Sequence, residues 1–131
     1  MTIWGLVAAL HRLAERYGSE GEQLRVLVEA PEDLPHLPAA IEVAVYRVAQ
    51  EALTNVVRHA GAKECVVRLV VADYVTLEVT DDGVGLPDKH AAGVGLSSMR
   101  ERAVELGGTC VVEKASEDGT RVLVRLPLPK E

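Results

Sequence analysis

The chain has 131 residues, of which 48% are hydrophobic and 26% charged, and its formal net charge is −6. This length suits a single domain with one aliphatic core, and the apolar content excludes intrinsic disorder. The negative charge argues against a nucleic-acid partner, and no apolar run is long enough to span a membrane. We therefore expect a cytoplasmic chain without direct membrane contact, in which Cys65 and Cys110 are reduced and buried because each lies in an apolar run.

The first half of the chain is predicted to contain two helices and one strand. Apolar residues recur at helical spacing from Thr2 to Tyr17, and Gly18 and Gly21 bracket the expected end of this helix. Residues 24–29 alternate in the manner of a strand, and residues 31–38 form a loop because they include three prolines. A second apolar stripe predicts a long central helix from Ala39 to about Ala60, ended by Gly61.

The second half is richer in strands. Residues 64–72 and 75–80 are β-rich runs separated by a short turn at Asp73 and Tyr74, which predicts a hairpin. Residues 81–95 contain four glycines and a proline and cannot be regular. A last pair of strands is predicted at residues 109–114 and 121–126.

One further helix is predicted from Ser97 or Ser98 to Leu106, where Gly107 ends it, and Ser98 with Glu101 forms a capping box. Helices therefore fall between pairs of strands along the chain. This order favours an α+β fold, a two-layer sandwich whose mixed, mostly antiparallel sheet of about five strands is covered on one face by about three helices.

The central helix carries a polar stripe within "QEALTNVVRHA". Glu51, Asn55 and His59 lie four residues apart, and Arg58 follows Asn55 by three, so the four side chains share one face of an α-helix. A carboxylate, an amide, a guanidinium and an imidazole can together meet a metal–phosphate group, since Mg²⁺ takes only one or two protein oxygens. An ordinary solvated helix face is the alternative.

Three glycine motifs follow the central helix. They are D-x-G-x-G at Asp81–Gly85, G-x-G-L at Gly93–Leu96 and G-T at Gly119–Thr120. Glycines let the backbone approach a ligand closely, and a helix N-terminus favours anions. Each motif alone is also compatible with a plain turn, and neither a Rossmann nor a P-loop pattern is complete.

In this order, the motifs resemble the GHKL ATPases, which include gyrase-type topoisomerases, Hsp90 chaperones, histidine kinases and MutL. The segments "YRVAQEALTNVVRHAGA", "VTDDGVGL", "GVGLSSMRERAVELGG" and "GTRVLVRLPLP" are similar to the catalytic and ATP-binding domain of bacterial sensor histidine kinases of the nitrate/nitrite-sensor-like subfamily. The resemblance spans roughly Leu24 to Pro129. It implies the Bergerat fold, binding of ATP with Mg²⁺, and transfer of the γ-phosphoryl group to a histidine.

The resemblance also implies individual roles. Asn55 is expected to hold Mg²⁺, and Glu51 occupies the acidic position that orients or deprotonates the attacking water in ATP-hydrolysing relatives; whether Glu51 is catalytic or structural here is left open. Asp81 is expected to accept a hydrogen bond from the adenine amino group, with Thr120 beside it. Residues 86–92 are expected to form a short mobile lid rather than an inert surface loop. The other implied nucleotide contacts are Arg58, His59, Gly83, Gly85, Gly93, Gly95 and Leu96.

The chain departs from the resembled pattern in one respect. A complete kinase of this subfamily has an acceptor histidine followed by an acidic residue, and none of His11, His36, His59 and His90 is followed by one. We therefore expect residues 1–131 to be a single ATPase domain that lacks the phosphoacceptor and dimerisation segment. Its partners would be that segment and, indirectly, a response regulator, in a full-length protein that can be membrane-tethered. Alternatives are a stand-alone serine kinase and anti-sigma factor, or a non-catalytic nucleotide-gated module.

Overall fold

The computed structural model describes residues 3–20, 24–32, 34–84, 96–115 and 119–129, with the backbone alone for residues 3, 4, 19, 20, 59, 60 and 96. Within these ranges the chain forms three α-helices and five strands. The helices are α1 (Ile3–Glu20), α2 (Ala39–Asn55) and α3 (Leu96–Glu105), and a π-helical turn (Val56–Ala60) extends α2. The strands are β1 (Arg25–Glu29), β2 (Glu64–Val71), β3 (Tyr74–Asp81), β4 (Thr109–Lys114) and β5 (Thr120–Pro127).

The strands form one mixed sheet in the order β1-β2-β3-β5-β4. Strand β1 runs parallel to β2, and the other neighbouring pairs are antiparallel. A parallel pair requires a crossover, which α2 supplies between β1 and β2. The predicted fold class is confirmed. The β2–β3 turn lies at Ala72 and Asp73, one residue earlier than predicted, because Tyr74 already pairs with Pro127 of β5.

One face of the sheet is buried beneath the helices. In β2, Cys65, Val67 and Leu69 are buried, whereas the residues between them are half-buried or exposed, and β3 and β5 alternate in the same way. This period of two is what a sheet covered on one face requires. Cys65 and Cys110 are free and buried, as predicted. Burial, with smaller effects from Asp81 and Asp82, raises the pKa of Cys65 to about 12, so this thiol stays protonated at neutral pH.

Helix α2 does not continue in α-helical register to Ala60. It ends at Asn55, and residues 56–60 form the π-helical turn. Glu51 and Asn55 therefore lie one α-helical turn apart as predicted, but Arg58 and His59 lie in a different register. The prediction that all four residues follow a single α-helical face is wrong. Gly61 ends the helical segment in a left-handed conformation with φ of 59°, which confirms its predicted role.

Helix α3 begins earlier than its sequence indicated. It starts at Leu96, so Ser98 lies inside the first turn and cannot be the N-cap of the predicted capping box. Met99 and Ala103 are both buried one turn apart, and their packing fixes α3 more strongly than the local cap preference. Its end follows the prediction, because Gly107 has φ of 75° and its N–H donates to the carbonyl of Val104 at 2.9 Å.

Helix α1 ends between the two glycines that were predicted to bracket its stop. Gly18 lies inside α1, and its φ is not positive, unlike that of Gly61 and Gly107. A glycine favours a helix end where the chain adopts the left-handed conformation. Gly18 therefore does not itself end α1, which extends to Glu20, and the predicted stop between Gly18 and Gly21 is confirmed.

Gly108, which leads from α3 into β4, lies close against β5. A Cβ at this position would collide with the carbonyl oxygen of Arg125 and lie 2.8 Å from Leu126 Cδ2. We expect Gly108→Ala to lower the free energy of unfolding by about 1–3 kcal/mol, the usual cost of overpacking. Urea denaturation measures the change.

Gly18→Ala is the matched control. The added Cβ would lie 3.6 Å from the Leu24 carbonyl oxygen, an ordinary contact, and alanine is the better helix former. This variant should gain about 0.5–1 kcal/mol. Equal stability losses in both variants would contradict the close approach at Gly108.

Candidate functional site

Asp81 is a buried carboxylate at the end of β3. It continues the alternation of Leu77 and Val79, so its side chain faces the helices, and it is only 6% exposed. The N–H of Gly83 donates to Asp81 Oδ1 at 2.8 Å, and the backbone N–H of Thr120 donates to the same carboxylate. Burial nevertheless raises the pKa of Asp81 above its ordinary value, with the two backbone hydrogen bonds opposing the rise. The arrangement presents a fixed, buried acceptor for N–H donors.

The start of β5 packs directly against Asp81. Thr80 pairs with Arg121, so the next pair along the ladder sets Asp81 opposite Thr120, which is buried. A Cβ on Gly119 would collide with the Asp81 carbonyl oxygen, so only glycine fits there. The sequence indicated Thr120 as a site residue, and the structure places it beside Asp81. The sequence placed Gly119 only in the G-T motif. It did not indicate that the absence of a side chain at Gly119 lets β5 lie against Asp81.

Asp82 connects the end of β3 to the segment that follows α2. Its Oδ1 accepts hydrogen bonds from the backbone N–H groups of Lys63 at 2.8 Å and Glu64 at 2.9 Å. Its own N–H donates to the Glu64 carbonyl at 3.2 Å. These hydrogen bonds, the one from Glu64 first, lower the pKa of Asp82. Sequence reasoning missed this residue, because its partners lie 18 and 19 positions earlier in the chain.

The polar residues of α2 lie at the same end of the sheet. Asn55 is 8% exposed at the last position of α2, and it has a polar interaction within the structure. Glu51 is half-buried one turn earlier, and Arg58 is exposed in the π-helical turn. Four residues lead from Ala60 to Glu64, a span of about 14 Å at most, and Glu64 bonds to Asp82. The chain path thus brings the ends of α2 and β3 to one edge of the sheet.

A cavity of about 670 Å³ lies at this edge. Asp81, Gly83 and Gly119 line it, together with Val66 and Thr80, which alternate with buried residues and so lie on the uncovered face. None of Glu51, Asn55 and Arg58 lines it. The cavity therefore lies beside Asp81 and does not extend to the polar residues of α2.

Several predicted site residues fall outside the described structure. Gly85, Gly93, Gly95 and the expected lid at residues 86–92 lie outside the described ranges. The backbone of Leu96 begins α3, and that of His59 lies in the π-helical turn. The structure thus brings together Asp81, Gly83 and Thr120, whereas Glu51, Asn55 and Arg58 lie on the helical segment that leads to β2.

The sequence model of the family described as histidine kinase-, DNA gyrase B-, and HSP90-like ATPase matches residues 40–130. The chain is similar to the sensor protein VraS of Staphylococcus epidermidis, with 38% identity over 98 residues. The VraS protein of Staphylococcus aureus matches at the same identity and length. Each match covers 72% of this chain but 28% of the relative, so the chain spans about a quarter of the length of these relatives.

Solved structures of two similar domains share the fold of this chain. The histidine kinase domain of the blue-light activated histidine kinase EL346 from Erythrobacter litoralis is 25% identical, with a TM-score of 0.78 over 94% of this chain and 61% of that one. The ATP binding domain of PrrB from Mycobacterium tuberculosis is 29% identical, with a TM-score of 0.71 over 94% of this chain and 93% of that one. Among the described residues, no helix is both long and apolar enough to cross a bilayer.

Burial of Asp81 predicts a pH-dependent effect on stability. Because its folded pKa is raised above the ordinary 3.8, ionisation costs more in the folded chain than in the unfolded chain. The contribution of Asp81 to stability is therefore complete below pH 3.8 and declines as the pH rises through the folded pKa. Relative to Asp81→Asn, which does not titrate, the wild type should lose stability over this interval. Urea unfolding of both proteins at several pH values measures the difference; a difference independent of pH would contradict the raised pKa.

Proposed function

The chain belongs to the histidine kinase-, DNA gyrase B-, and HSP90-like ATPase family, and on this premise we propose that it binds ATP and donates the γ-phosphoryl group to a histidine on a separate dimerisation segment. It would act as the catalytic and ATP-binding domain of a sensor histidine kinase. The observation that carries this proposal is the buried Asp81 carboxylate, held by backbone N–H groups at the edge of the sheet where α2 ends.

Asp81 would select the purine. Its buried carboxylate can accept a hydrogen bond from the adenine amino group, and a buried acceptor discriminates strongly because a ligand without the matching donor leaves it unpaired. Thr120 would contact the ligand from the first residue of β5. Gly83 and Gly85 would let the backbone pass close to the nucleotide. The closeness of Gly119 to Asp81 supports this assignment, because it keeps β5 against the carboxylate.

The end of α2 would meet the phosphates. Asn55 would supply its amide oxygen to Mg²⁺, and Glu51 the nearby carboxylate. No group of three or more His, Cys, Asp or Glu side chains in the described ranges could hold a metal, which suits an ion that takes most of its ligands from phosphate and water. When bound, Mg²⁺ would neutralise phosphate charge. The further nucleotide contacts would be Arg58, His59, Gly93, Gly95 and Leu96.

The acceptor histidine would come from a region outside these 131 residues. The matched relatives are sensor proteins much longer than this chain, since the match covers only 28% of their length. We assign residues 1–131 to a single domain on the cytoplasmic side, in the nitrate/nitrite-sensor-like subfamily, with a response regulator receiving the phosphoryl group from the acceptor histidine. The sensor-kinase relatives favour a histidine acceptor over the serine of an anti-sigma kinase.

Nucleotide binding is tested by calorimetry with a non-hydrolysable ATP analogue. Asp81→Asn should weaken affinity by at least about tenfold, because the new amide presents a donor to an amino group that also donates. Asp73→Asn, the same change at an exposed turn residue, is the matched control and should bind like the wild type. Equal affinities for all three proteins would contradict the adenine assignment.

Phosphoryl transfer is tested with separate acceptors. We expect labelled phosphate to move from ATP to a histidine-containing dimerisation segment of a related sensor kinase, and not to a serine substrate of an anti-sigma kinase. Glu51→Gln should slow transfer without removing ATP binding if Glu51 is catalytic, and unchanged transfer would assign it a structural role. Label on the serine substrate alone would overturn the proposed acceptor.

A further inference from the structure

A chain of two hydrogen bonds joins α1 to the turn of α2 that carries Asn55. The hydroxyls of Tyr17 and Thr54 lie 2.9 Å apart, and Thr54 Oγ1 donates to the Gln50 carbonyl at 2.9 Å. We propose that Tyr17 and Thr54 are positioning residues that set the register of α2 at Asn55, and thereby the Mg²⁺-dependent part of nucleotide binding. The proposal rests on the proposed function of Asn55.

The direction of the two hydrogen bonds follows from the single hydroxyl proton of threonine. Thr54 donates that proton to the Gln50 carbonyl, so Tyr17 must be the donor to Thr54 Oγ1. Tyr17 is only 7% exposed, and a buried hydroxyl without a partner is costly. Tyr17 therefore favours the one threonine rotamer that bonds back to Gln50.

This contact lies where the helix changes register. Thr54 precedes Asn55, and the π-helical turn begins at the next residue, Val56. The N–H of Val56 is shared between the carbonyls of Ala52 and Leu53, so the regular α-helical ladder is already perturbed here. Threonine bonded back to the carbonyl four residues earlier tends to bend a helix, and π-helical turns concentrate at functional sites.

The consequence is a mechanical link between two helices. Tyr17 lies in the C-terminal part of α1, and the guanidinium of Arg16 lies 5.6 Å from the centre of the Tyr17 ring. Helix α1 packs along α2. A shift of α1 would break the contact with Thr54 and free the turn that carries Asn55. The phosphate end of the site would then respond to α1, whereas Asp81 on β3 would not.

The test separates the two ends of the nucleotide site. Affinity for a non-hydrolysable ATP analogue is measured by calorimetry with Mg²⁺ and with a chelator, for the wild type, Tyr17→Phe and Thr54→Val. We expect both variants to lose about fivefold in affinity with Mg²⁺, the equivalent of one hydrogen bond, and to change less than about twofold with the chelator. Thr54→Ser keeps the hydroxyl, and Tyr46→Phe removes one elsewhere on α2. Both controls should stay within about twofold of the wild type.

Amide hydrogen exchange gives a readout that does not depend on nucleotide. Residues 55–60 should exchange faster in Thr54→Val than in Thr54→Ser, while exchange in the sheet stays the same. Equal losses of affinity with and without Mg²⁺, or unchanged exchange at residues 55–60, would overturn the positioning role. A wild type that binds no nucleotide would refute the proposed function, and the exchange experiment would still decide whether Tyr17 and Thr54 set the register of α2.

Discussion

The burial of one carboxylate at the end of β3 is the constraint on which the rest of the site depends. Removing Asp81 from water costs free energy, and the backbone N–H groups of Gly83 and Thr120 offset part of it. Those donors are available only because the chain turns sharply after β3 and because β5 begins directly against it. Glycine at position 119 is required for the second condition, since any side chain would meet the Asp81 carbonyl.

The second part of the site is placed by the helix that precedes β2. Asp82 accepts hydrogen bonds from the backbone N–H groups of Lys63 and Glu64, so the segment that leaves α2 is bonded to the end of β3. Neighbouring aspartates thus have opposite environments, one with a raised and one with a lowered pKa, because one is buried and the other accepts backbone N–H groups at the surface. The hydrogen bonds of Asp81 and Asp82 thus hold the end of β3 against the start of β5 and against the segment that leaves α2.

The chemistry that this domain can perform follows from the groups that its elements provide. A buried acceptor, a polar helix end and glycine-rich turns can hold a nucleotide and orient its phosphates, which is most of what phosphoryl transfer asks of a protein. None of these elements is a phosphoryl acceptor. The acceptor in the proposed reaction is a histidine outside these elements, and the hydrogen bond between Tyr17 and Thr54 links α1 to the end of α2.

The sequence by itself determined the element types, the α+β class and the four motifs, because hydrophobic period, glycines and polar spacing are local properties. It also indicated Asp81 and Thr120 as candidate site residues, through resemblance, and it located the helix ends at Gly61 and Gly107, whose left-handed conformation few other residues adopt. Only the tertiary structure decided the π-helical turn after Asn55, the start of α3 at Leu96 and the bonds of Asp82 and Tyr17. These depend on partners far apart in the chain, where packing and long-range hydrogen bonds outweigh local preference.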